Sequence, residues 1–220
     1  FQTYKNTLKT MKIIDISVSI DDKLPLWPGS PLLQSSKILS IDKGDDVNET
    51  KIDMSVHTGT HIDAPLHFIQ NGKSANSLPL DIFIGKVFVA DVSETKEITA
   101  DDIKKLDMPK GTSRILFKTS NSKLWEDGVR EFQKDYVGVG ESAAVWLADN
   151  NIKLVGVDYL SVTKFGNAKE LHKILLNKQI VLLEGINLSN VESGEYKLVC
   201  LPLKIKGIEA SPTRAVLISM

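Results

Sequence analysis

Apolar and polar positions alternate over many short stretches of the chain, which is the period of β-strands. In residues 51–58, Ile52, Met54 and Val56 alternate with polar neighbours, so this segment is predicted to be a half-buried strand with one apolar face. The long apolar segment 82–92 is another strand candidate, with Gly85 as a possible bulge. Further strands are predicted at 12–20, 36–41, 113–118, 154–157, 180–183, 196–203 and 214–220.

Three segments carry a helical pattern, at 99–106, 141–150 and 168–177. Thr99 is the predicted N-cap of the first, with Asp101 and Asp102 in its first turn. Residues 25–31 are rich in proline and glycine and predict a turn, and 121–138 shows no sustained period and predicts an irregular loop. Strands in excess with a few later helices favour a mixed α/β fold with a substantial antiparallel or barrel-like sheet.

No linker interrupts the pattern, so residues 11–220 are predicted to form a single domain. Residues 1–10 precede Met11 and have no apolar stretch typical of a signal peptide. We interpret them as an upstream extension or a remnant of the expressed sequence, with a native N-terminal arm as the alternative.

The composition excludes several classes of protein. The 220 residues include 27 basic and 28 acidic side chains, a balance that gives no reason to expect binding to nucleic acid or to anionic lipid. A single cysteine, Cys200, excludes an intramolecular disulfide and a cysteine-rich zinc scaffold. No apolar run has the length of a membrane span. We therefore expect a globular cytoplasmic protein without disulfides.

Three of the four histidines lie within residues 57–67, in the sequence HTGTHIDAPLH. Glycine, proline and threonine make a helix improbable here, and an extended chain would place positions 57, 59, 61 and 63 on one side. His57, His61 and Asp63 would then converge, with Gly59 leaving room for an ion. Pro65 would end the strand and turn His67 back over the same place.

Two imidazoles and a carboxylate suit zinc, manganese or iron(II), and they leave coordination positions open for water, as in catalytic sites. The plain alternative is a polar loop whose histidines are hydrogen-bonded. Any further ligands must come from elsewhere in the chain. His172 is the remaining histidine, and Glu184 ends an apolar strand before a glycine. Taken alone, the pattern favours a surface position on a helix for His172 and a solvated strand end for Glu184.

The segment resembles the H-x-G-T-H-x-D-x-P-x-H signature of the cyclase family of metal-dependent hydrolases, which includes bacterial kynurenine formamidase and isatin hydrolase. The likeness runs from Met11 to the C-terminus. It includes four further blocks, in the expected order: LWPGSP at 26–31, ESAAVWLADNNIKLVGVDYLSV at 141–162, LHKILLNKQIVLLEGINL at 171–188, and LPLKIKGIEASPTRAVL near the end.

The resemblance implies a role for each matched residue. Five residues would bind two divalent ions, zinc or else manganese, with the aspartate bridging them: His57, His61, Asp63, His172 and Glu184. His67 would be the catalytic acid and base, and Trp27 would line the substrate pocket. Many members carry an aspartate where this chain has Ser30.

The resemblance also implies a fold and a reaction. The fold would be a single β/β/α domain of the swivelling type with a barrel-like mixed sheet and a few flanking helices, assembled as a homodimer or homotetramer. The reaction would be hydrolysis of N-formyl-L-kynurenine to formate and L-kynurenine by a metal-activated water. The alternatives are hydrolysis of another aromatic or cyclic amide such as isatin, and a metal-binding module without hydrolytic activity.

Overall fold

A nine-stranded mixed sheet forms the framework of the protein, which we describe over residues 11–219 of a computed structural model. Its strands are β1 (Ile13–Asp15), β4 (His61–Asp63), β5 (Ile84–Asp91), β6 (Arg114–Lys118), β7 (Leu154–Val157), β8 (Val181–Glu184), β9 (Gly194–Val199), β10 (Ala210–Pro212) and β11 (Val216–Ser219). In the sheet they lie in the order β1–β11–β9–β5–β6–β7–β8–β4–β10.

The centre of the sheet, β5 to β8, is parallel, and the strands on either side of it are antiparallel. Every residue of β7 and of β8 is buried, as expected for parallel strands covered on both faces. The sheet curls into a half-barrel. The expectation of a mixed α/β fold with a barrel-like sheet and a few helices is therefore confirmed. Residues 1–10, which we interpreted as an extension or a remnant, lie outside the described residues.

Two apolar clusters lie on the opposite faces of this sheet, because successive side chains of a strand point to opposite sides. On one face, Ile115 and Val155 pack with residues of the helices α1 (Ala100–Lys105), α3 (Glu141–Asp149) and α4 (Ala168–Asn177). On the other face, Leu116 and Leu154 pack inside the curl with Ile62 of β4. The helical face also holds the candidate site.

The first helix begins as its sequence predicts. The Thr99 side chain accepts a hydrogen bond from the backbone N–H of Asp102, whose carboxylate accepts one from the backbone N–H of Thr99. The predicted irregular loop at 121–138 is partly wrong, because it contains the short helix α2 (Ser122–Glu126). In the described part of the chain no helix has the length and apolar character needed to cross a bilayer.

The strand predicted at 51–58 differs most from the structure. The observed strand β3 (Glu49–Asp53) is exposed throughout, and its partner β2 (Gln34–Leu39) contains no buried residue. The two strands pair with each other in a separate sheet. The alternation of Ile52 with polar residues predicted a half-buried face, but Ile52 is 60% exposed because no other element of the described chain covers it.

The predicted bulge at Gly85 is also wrong. The pairing of β5 with β9 runs in unbroken register from Ile84 to Val89. A Cβ at Gly85 would lie 2.7 Å from the guanidinium of Arg114, whose Nε donates a hydrogen bond to the carbonyl of Ile82. Glycine is needed here because an arginine side chain lies against the strand backbone.

Candidate metal centre

Strand pairing brings the first candidate ligands together. His61 of β4 lies directly opposite Glu184 of β8 in the antiparallel register. His61 and Asp63 are two residues apart and share one face of β4, while Ile62 points into the core on the other face. His61 Nε2 consequently lies 3.5 Å from Glu184 Oε2 and 3.5 Å from Asp63 Oδ1. All three side chains are buried.

A turn precedes β4, so the prediction of one extended chain from His57 to Asp63 is wrong. Residues 56–60 turn and bend, and Gly59 has a φ of +68°, which side chains other than glycine rarely adopt. A Cβ at Gly59 would lie 2.7 Å from the Ile20 side chain, so the absent side chain faces Ile20. The Gly59 carbonyl accepts a hydrogen bond from His61 Nδ1 at 2.9 Å, which leaves Nε2 facing the carboxylates.

Gly185, which follows the end of β8, leaves space for this turn. It follows Glu184 with a φ of +66°, and a Cβ there would lie 2.2 Å from the carbonyl oxygen of Gly59. The Thr60 hydroxyl donates a hydrogen bond of 2.5 Å to the carbonyl of Gly185. The two backbones therefore touch, and this contact sets the position of β4 against the end of β8.

The helix α4 supplies His172, which the sequence alone could have placed in solvent. His172 is 3% exposed, and its Nε2 lies 3.4 Å from Glu184 Oε1 and 3.8 Å from Asp63 Oδ2. Its Nδ1 is within hydrogen-bond distance of the Ala168 carbonyl at 2.7 Å and of the Thr163 hydroxyl at 3.0 Å. These contacts fix the ring and direct Nε2 toward the two carboxylates.

His57 and His67 lie on the solvent side of the cluster. His57 Nδ1 is 3.0 Å from Asp63 Oδ1. His67 ends a short 3-10 helix, Pro65–His67, that follows β4 directly, and its Nε2 is 3.7 Å from Asp63 Oδ2. The two imidazole rings lie side by side, with their centroids 4.3 Å apart. All four histidines of the chain therefore surround one aspartate.

The donor set fits divalent metal ions. Two groups of three side chains each offer ligand atoms within 4.8 Å of one another, His57–His61–Asp63 and Asp63–His172–Glu184, and Asp63 belongs to both. His61 Nε2 and both carboxylate oxygens of Asp63 are buried without a hydrogen-bond partner in the described chain. Because unpartnered buried carboxylate oxygens are costly, these atoms are suited to cations that would satisfy them.

The electrostatics of the cluster separate His67 from the other histidines. Burial lowers the pKa of His57, but Asp63, Glu184 and Glu209 outweigh this effect and raise the pKa to about 9. Burial is the largest effect on His67 and lowers its pKa, and His57 and His172 lower it further against the attraction of Asp63 and Glu184, so the pKa stays below the usual value. His67 is therefore neutral at pH 7 and can accept a proton.

The carboxylates of the cluster are ionised. Burial raises the pKa of Glu184, but the imidazoles of His172 and His61, whose Nε2 atoms lie 3.4 and 3.5 Å from its oxygens, outweigh this effect, so the pKa lies well below its ordinary value. The pKa of Asp63 is also lowered, because the neighbouring imidazoles outweigh burial and the repulsion from Glu184.

Metal binding at neutral pH should therefore release at least one proton per chain. His57 is protonated up to about pH 9 in the metal-free fold, and a ligating imidazole must be neutral. The apparent affinity should rise about tenfold per pH unit up to that pKa and then level off. Calorimetric zinc titrations in buffers of different ionisation enthalpy measure the proton count, and a heat independent of the buffer would contradict the prediction.

The segment after β7 orients Glu184. Its Oε1 accepts a hydrogen bond of 2.7 Å from the Val162 N–H and one of 3.2 Å from the Ser161 hydroxyl. Asp158, three residues before Ser161, accepts hydrogen bonds from Thr119 and Ser122 and caps a neighbouring loop. Nothing in the spacing of the chain indicated the contact of Ser161 with Glu184.

Glu209 is a further residue that sequence reasoning missed. Its Oε1 lies 3.4 Å from His57 Nε2, on the side of the ring opposite Asp63. Glu209 directly precedes β10, which pairs with β4, and its carbonyl accepts a hydrogen bond from the Ala64 N–H. A carboxylate behind a histidine ligand fixes the orientation of the ring and raises its basicity.

Replacing this carboxylate should weaken one of the two cation positions. In Glu209→Gln, we expect the affinity at the His57–His61–Asp63 group to fall about tenfold, since contacts behind metal ligands contribute 10- to 100-fold and Glu209 is partly exposed. The Asp63–His172–Glu184 group should be unaffected. Competition with a chromophoric chelator measures both steps. Glu192→Gln, an exposed carboxylate elsewhere, is the matched control, and equal affinities in the two variants would contradict the prediction.

A pocket of about 260 Å³ opens above the cluster. His57, His61, His67, His172 and Glu184 line its floor, and its walls include Leu26, Trp27, Phe68 and Leu160. The Trp27 ring packs against Phe132 and Phe165, with centroids 5.2 and 5.5 Å away. Trp27 therefore lies in the pocket wall, and the substrate contact that the family resemblance implies for it stays a prediction.

Comparison with known sequences identifies relatives over nearly the whole chain. The Cyclase family model matches residues 14–164. Cyclase-like protein 3 of Arabidopsis thaliana is 40% identical over 215 residues, which cover 94% of this chain and 79% of the relative. The kynurenine formamidase of Bacillus anthracis is 34% identical over 212 residues, which cover 96% of this chain and 99% of that enzyme.

Solved structures show the same architecture. A protein from Bacillus stearothermophilus described as a "predicted metal-dependent hydrolase" superposes with a TM-score of 0.81 at 35% identity, covering 96% of this chain and 99% of the other. Isatin hydrolase A from Labrenzia aggregata shares the fold, with a TM-score of 0.80 at 24% identity and coverage of 95% and 94%. From the family match and these near-complete overlaps we conclude that the chain belongs to the cyclase family.

Proposed function

We propose that this protein is a metal-dependent hydrolase that cleaves the carbon–nitrogen bond of a small aryl amide, with N-formyl-L-kynurenine as the first candidate substrate. One observation carries the proposal. The unpartnered oxygens of Asp63 join two potential ligand groups, and the neutral His67 lies beside them on the floor of an aromatic pocket. A structural metal site would not need His67.

Two divalent cations held by the five proposed ligands would supply a polarised amide carbonyl and water of lowered pKa. His67 is placed to move the proton. Its Nε2 would take a proton from the attacking water and return it to the departing arylamine as the amide bond breaks. With N-formyl-L-kynurenine the products are formate and L-kynurenine.

The pocket and the relatives support an aryl substrate. Trp27, Phe68 and Leu160 offer apolar surface to a ring, while the amide would lie over the polar floor. Two relatives are kynurenine formamidases, at 34% identity in Bacillus anthracis and 38% in Salinibacter ruber. Plant cyclase-like proteins are also related, one of them at 40% identity. The hydrolase class is therefore the broader statement, and N-formyl-L-kynurenine as the substrate is the narrower proposal.

A cyclic amide such as isatin is the second candidate, and one feature of the pocket favours it. Apart from the histidines and Glu184, the polar side chains that line the pocket in the described chain are the hydroxyls of Ser30, Ser55 and Ser161. This lining suits an uncharged ligand, whereas the amino-acid end of formylkynurenine would have to extend toward solvent.

The test compares three substrates on protein reconstituted with zinc or with manganese. Formate release from N-formyl-L-kynurenine and from formanilide, and ring opening of isatin, are followed with chelator-treated protein as the control. Metal-dependent release of formate supports the first proposal, and ring opening alone supports the second. Stoichiometric metal binding without turnover of any of the three would leave the metal-binding module as the remaining interpretation.

A further inference from the structure

The Trp27 ring forms part of the pocket wall, and its position depends on the residues behind it. Trp27 lies in segment 25–31, where the backbone N–H of Ser30 donates a hydrogen bond of 2.9 Å to the Trp27 carbonyl. The two residues between them, Pro28 and Gly29, are exposed. This turn fixes the path of the backbone, but a backbone hydrogen bond does not set the direction of the indole. The packing behind the ring must therefore do so.

Two phenylalanines from distant segments pack against the indole. Phe132 meets it nearly edge-on, with the ring centroids 5.2 Å apart and the planes at 69°. Phe165 lies at 5.5 Å with an angle of 56°. These separations are within the range that aromatic pairs prefer. Neither phenylalanine lines the pocket, so both would affect a bound ligand through the wall residues in front of them.

Of the two, Phe132 is the one that is anchored to the core. The backbone N–H of the next residue, Gln133, donates a hydrogen bond of 2.7 Å to the hydroxyl of Tyr159, which is 1% exposed. The Phe132 ring also lies 6.1 Å from the rings of Tyr136 and Tyr159, both of which are buried. Phe165, by contrast, lies in the turn directly before α4, beside exposed residues. Phe132 is therefore the firmer support of the indole.

The segment that carries Phe132, residues 121–137, is closed at its base by a single side chain. Asn121 Nδ2 donates a hydrogen bond of 2.8 Å to the Val137 carbonyl, and the Val137 N–H donates one of 2.8 Å to Asn121 Oδ1. Asn121 is 2% exposed, so water competes little for this pair of bonds. The two ends of the segment are thus held together, and Phe132 has a defined place between them.

We propose that Phe132 is a positioning residue that sets substrate specificity, because through Trp27 it fixes how wide an aryl group the pocket accepts. This inference rests on the proposed function and adds to it the width of the aryl group. With Phe132 in place, the indole has an aromatic ring directly behind it and cannot move back. A smaller residue at position 132 lets the indole move back, which widens the pocket and loosens its contact with a single ring.

The test uses the zinc-loaded full chain and two aryl ketones, acetophenone and 1-acetonaphthone, which resemble aryl amides but have no carbon–nitrogen bond to cleave. Calorimetry gives their dissociation constants. In Phe132→Ala, the ratio of the two constants should shift about tenfold or more toward the two-ring ketone, since one methylene more or less in a hydrophobic pocket changes discrimination about 10- to 200-fold. Phe132→Leu keeps more of the volume and should fall between Phe132→Ala and the wild type. Circular dichroism and zinc content check that each variant is folded and loaded.

Trp125→Phe is the matched control on the same segment. Trp125 belongs to α2, its Nε1 donates a hydrogen bond of 2.8 Å to the Asp158 carbonyl, and its ring packs against Tyr159 with centroids 5.9 Å apart. The substitution loosens the segment but leaves the Phe132 ring, so the ratio of the ketone constants should stay at the wild-type value. An equal shift in Trp125→Phe and Phe132→Ala would overturn the proposal. So would an unchanged ratio in folded Phe132→Ala, or a wild type that binds neither ketone.

Turnover separates this inference from the proposed function. If formanilide is hydrolysed, Phe132→Ala should raise its KM about tenfold and leave kcat within about threefold, because the cation ligands and His67 are untouched and only binding of the ring is weakened. A lowered kcat with an unchanged KM would overturn the positioning role. If no amide is hydrolysed, the proposed function fails, and the ketone constants still decide whether Phe132 sets the width of the pocket.

Discussion

His67→Ala should lower kcat/KM by about 10²- to 10⁴-fold, the usual contribution of a positioned acid and base, while the metal content stays nearly unchanged. The reason lies in the position of the side chain. His67 belongs to neither of the two groups that could hold a cation, yet its Nε2 is 3.7 Å from Asp63 Oδ2 and the ring lines the pocket. Metal analysis and turnover of the preferred substrate measure the two properties separately.

The pH profile gives an independent check. Because burial and the neighbouring imidazoles lower the pKa of His67, the wild type should keep its base active at pH 6.5 and lose activity only as the pH falls below that value. The acidic limb should change in the variant. Ser30→Ala, which removes from the same pocket a hydroxyl that does not titrate in this pH range, is the control and should keep the wild-type profile. Unchanged turnover in His67→Ala would refute the acid–base role.

Residues 57–67 show which features of the candidate site can be predicted from a short stretch of sequence. The spacing of residues 57–67 indicated a metal-type cluster, because two histidines and an aspartate recur within seven positions. The predicted path of the chain was nonetheless wrong, because the positive φ of Gly59 interrupts the expected strand. The ring of His61 is aimed by the carbonyl of Gly59, a backbone contact that no side-chain pattern encodes.

Residues distant in the chain were harder to assign. His172 and Glu184 were inferred from family resemblance, because their burial depends on the pairing of β4 with β8 and on the packing of α4. Glu209 gave no signal at all, since a single carboxylate before a short strand looks like any surface residue. Its proximity to His57 follows from the pairing of β10 with β4.

At the β2–β3 hairpin, residues 34–53, the local pattern predicted the strand but not its exposure. Alternating apolar residues at 52, 54 and 56 correctly indicated extended chain at Ile52, but alternation cannot say what covers the apolar face. Within the described chain nothing covers it. The regular helices and the buried parallel strands were predicted closely because their patterns report contacts made within the chain, as at Leu154–Val157 and Ala168–Asn177.

Asp63→Ala should abolish both metal binding and activity, the largest combined effect expected of any single substitution. Asp63 is the one residue that belongs to both potential ligand groups, and its two oxygens face different imidazoles: Oδ1 faces His57 and His61, and Oδ2 faces His67 and His172. Removing the carboxylate takes the shared negative charge from both positions. Equilibrium dialysis against zinc measures the loss.

Variants that touch only one group provide the comparison. His57→Ala and His172→Ala each remove a ligand from a single group and should each weaken one binding step, whereas Asp63→Ala should remove both. Asp63→Asn keeps the shape of the side chain, and it separates loss of charge from loss of packing at a position that is 1% exposed. If Asp63→Asn folds and still binds two ions tightly, Asp63 does not bridge, and the two groups must be independent sites.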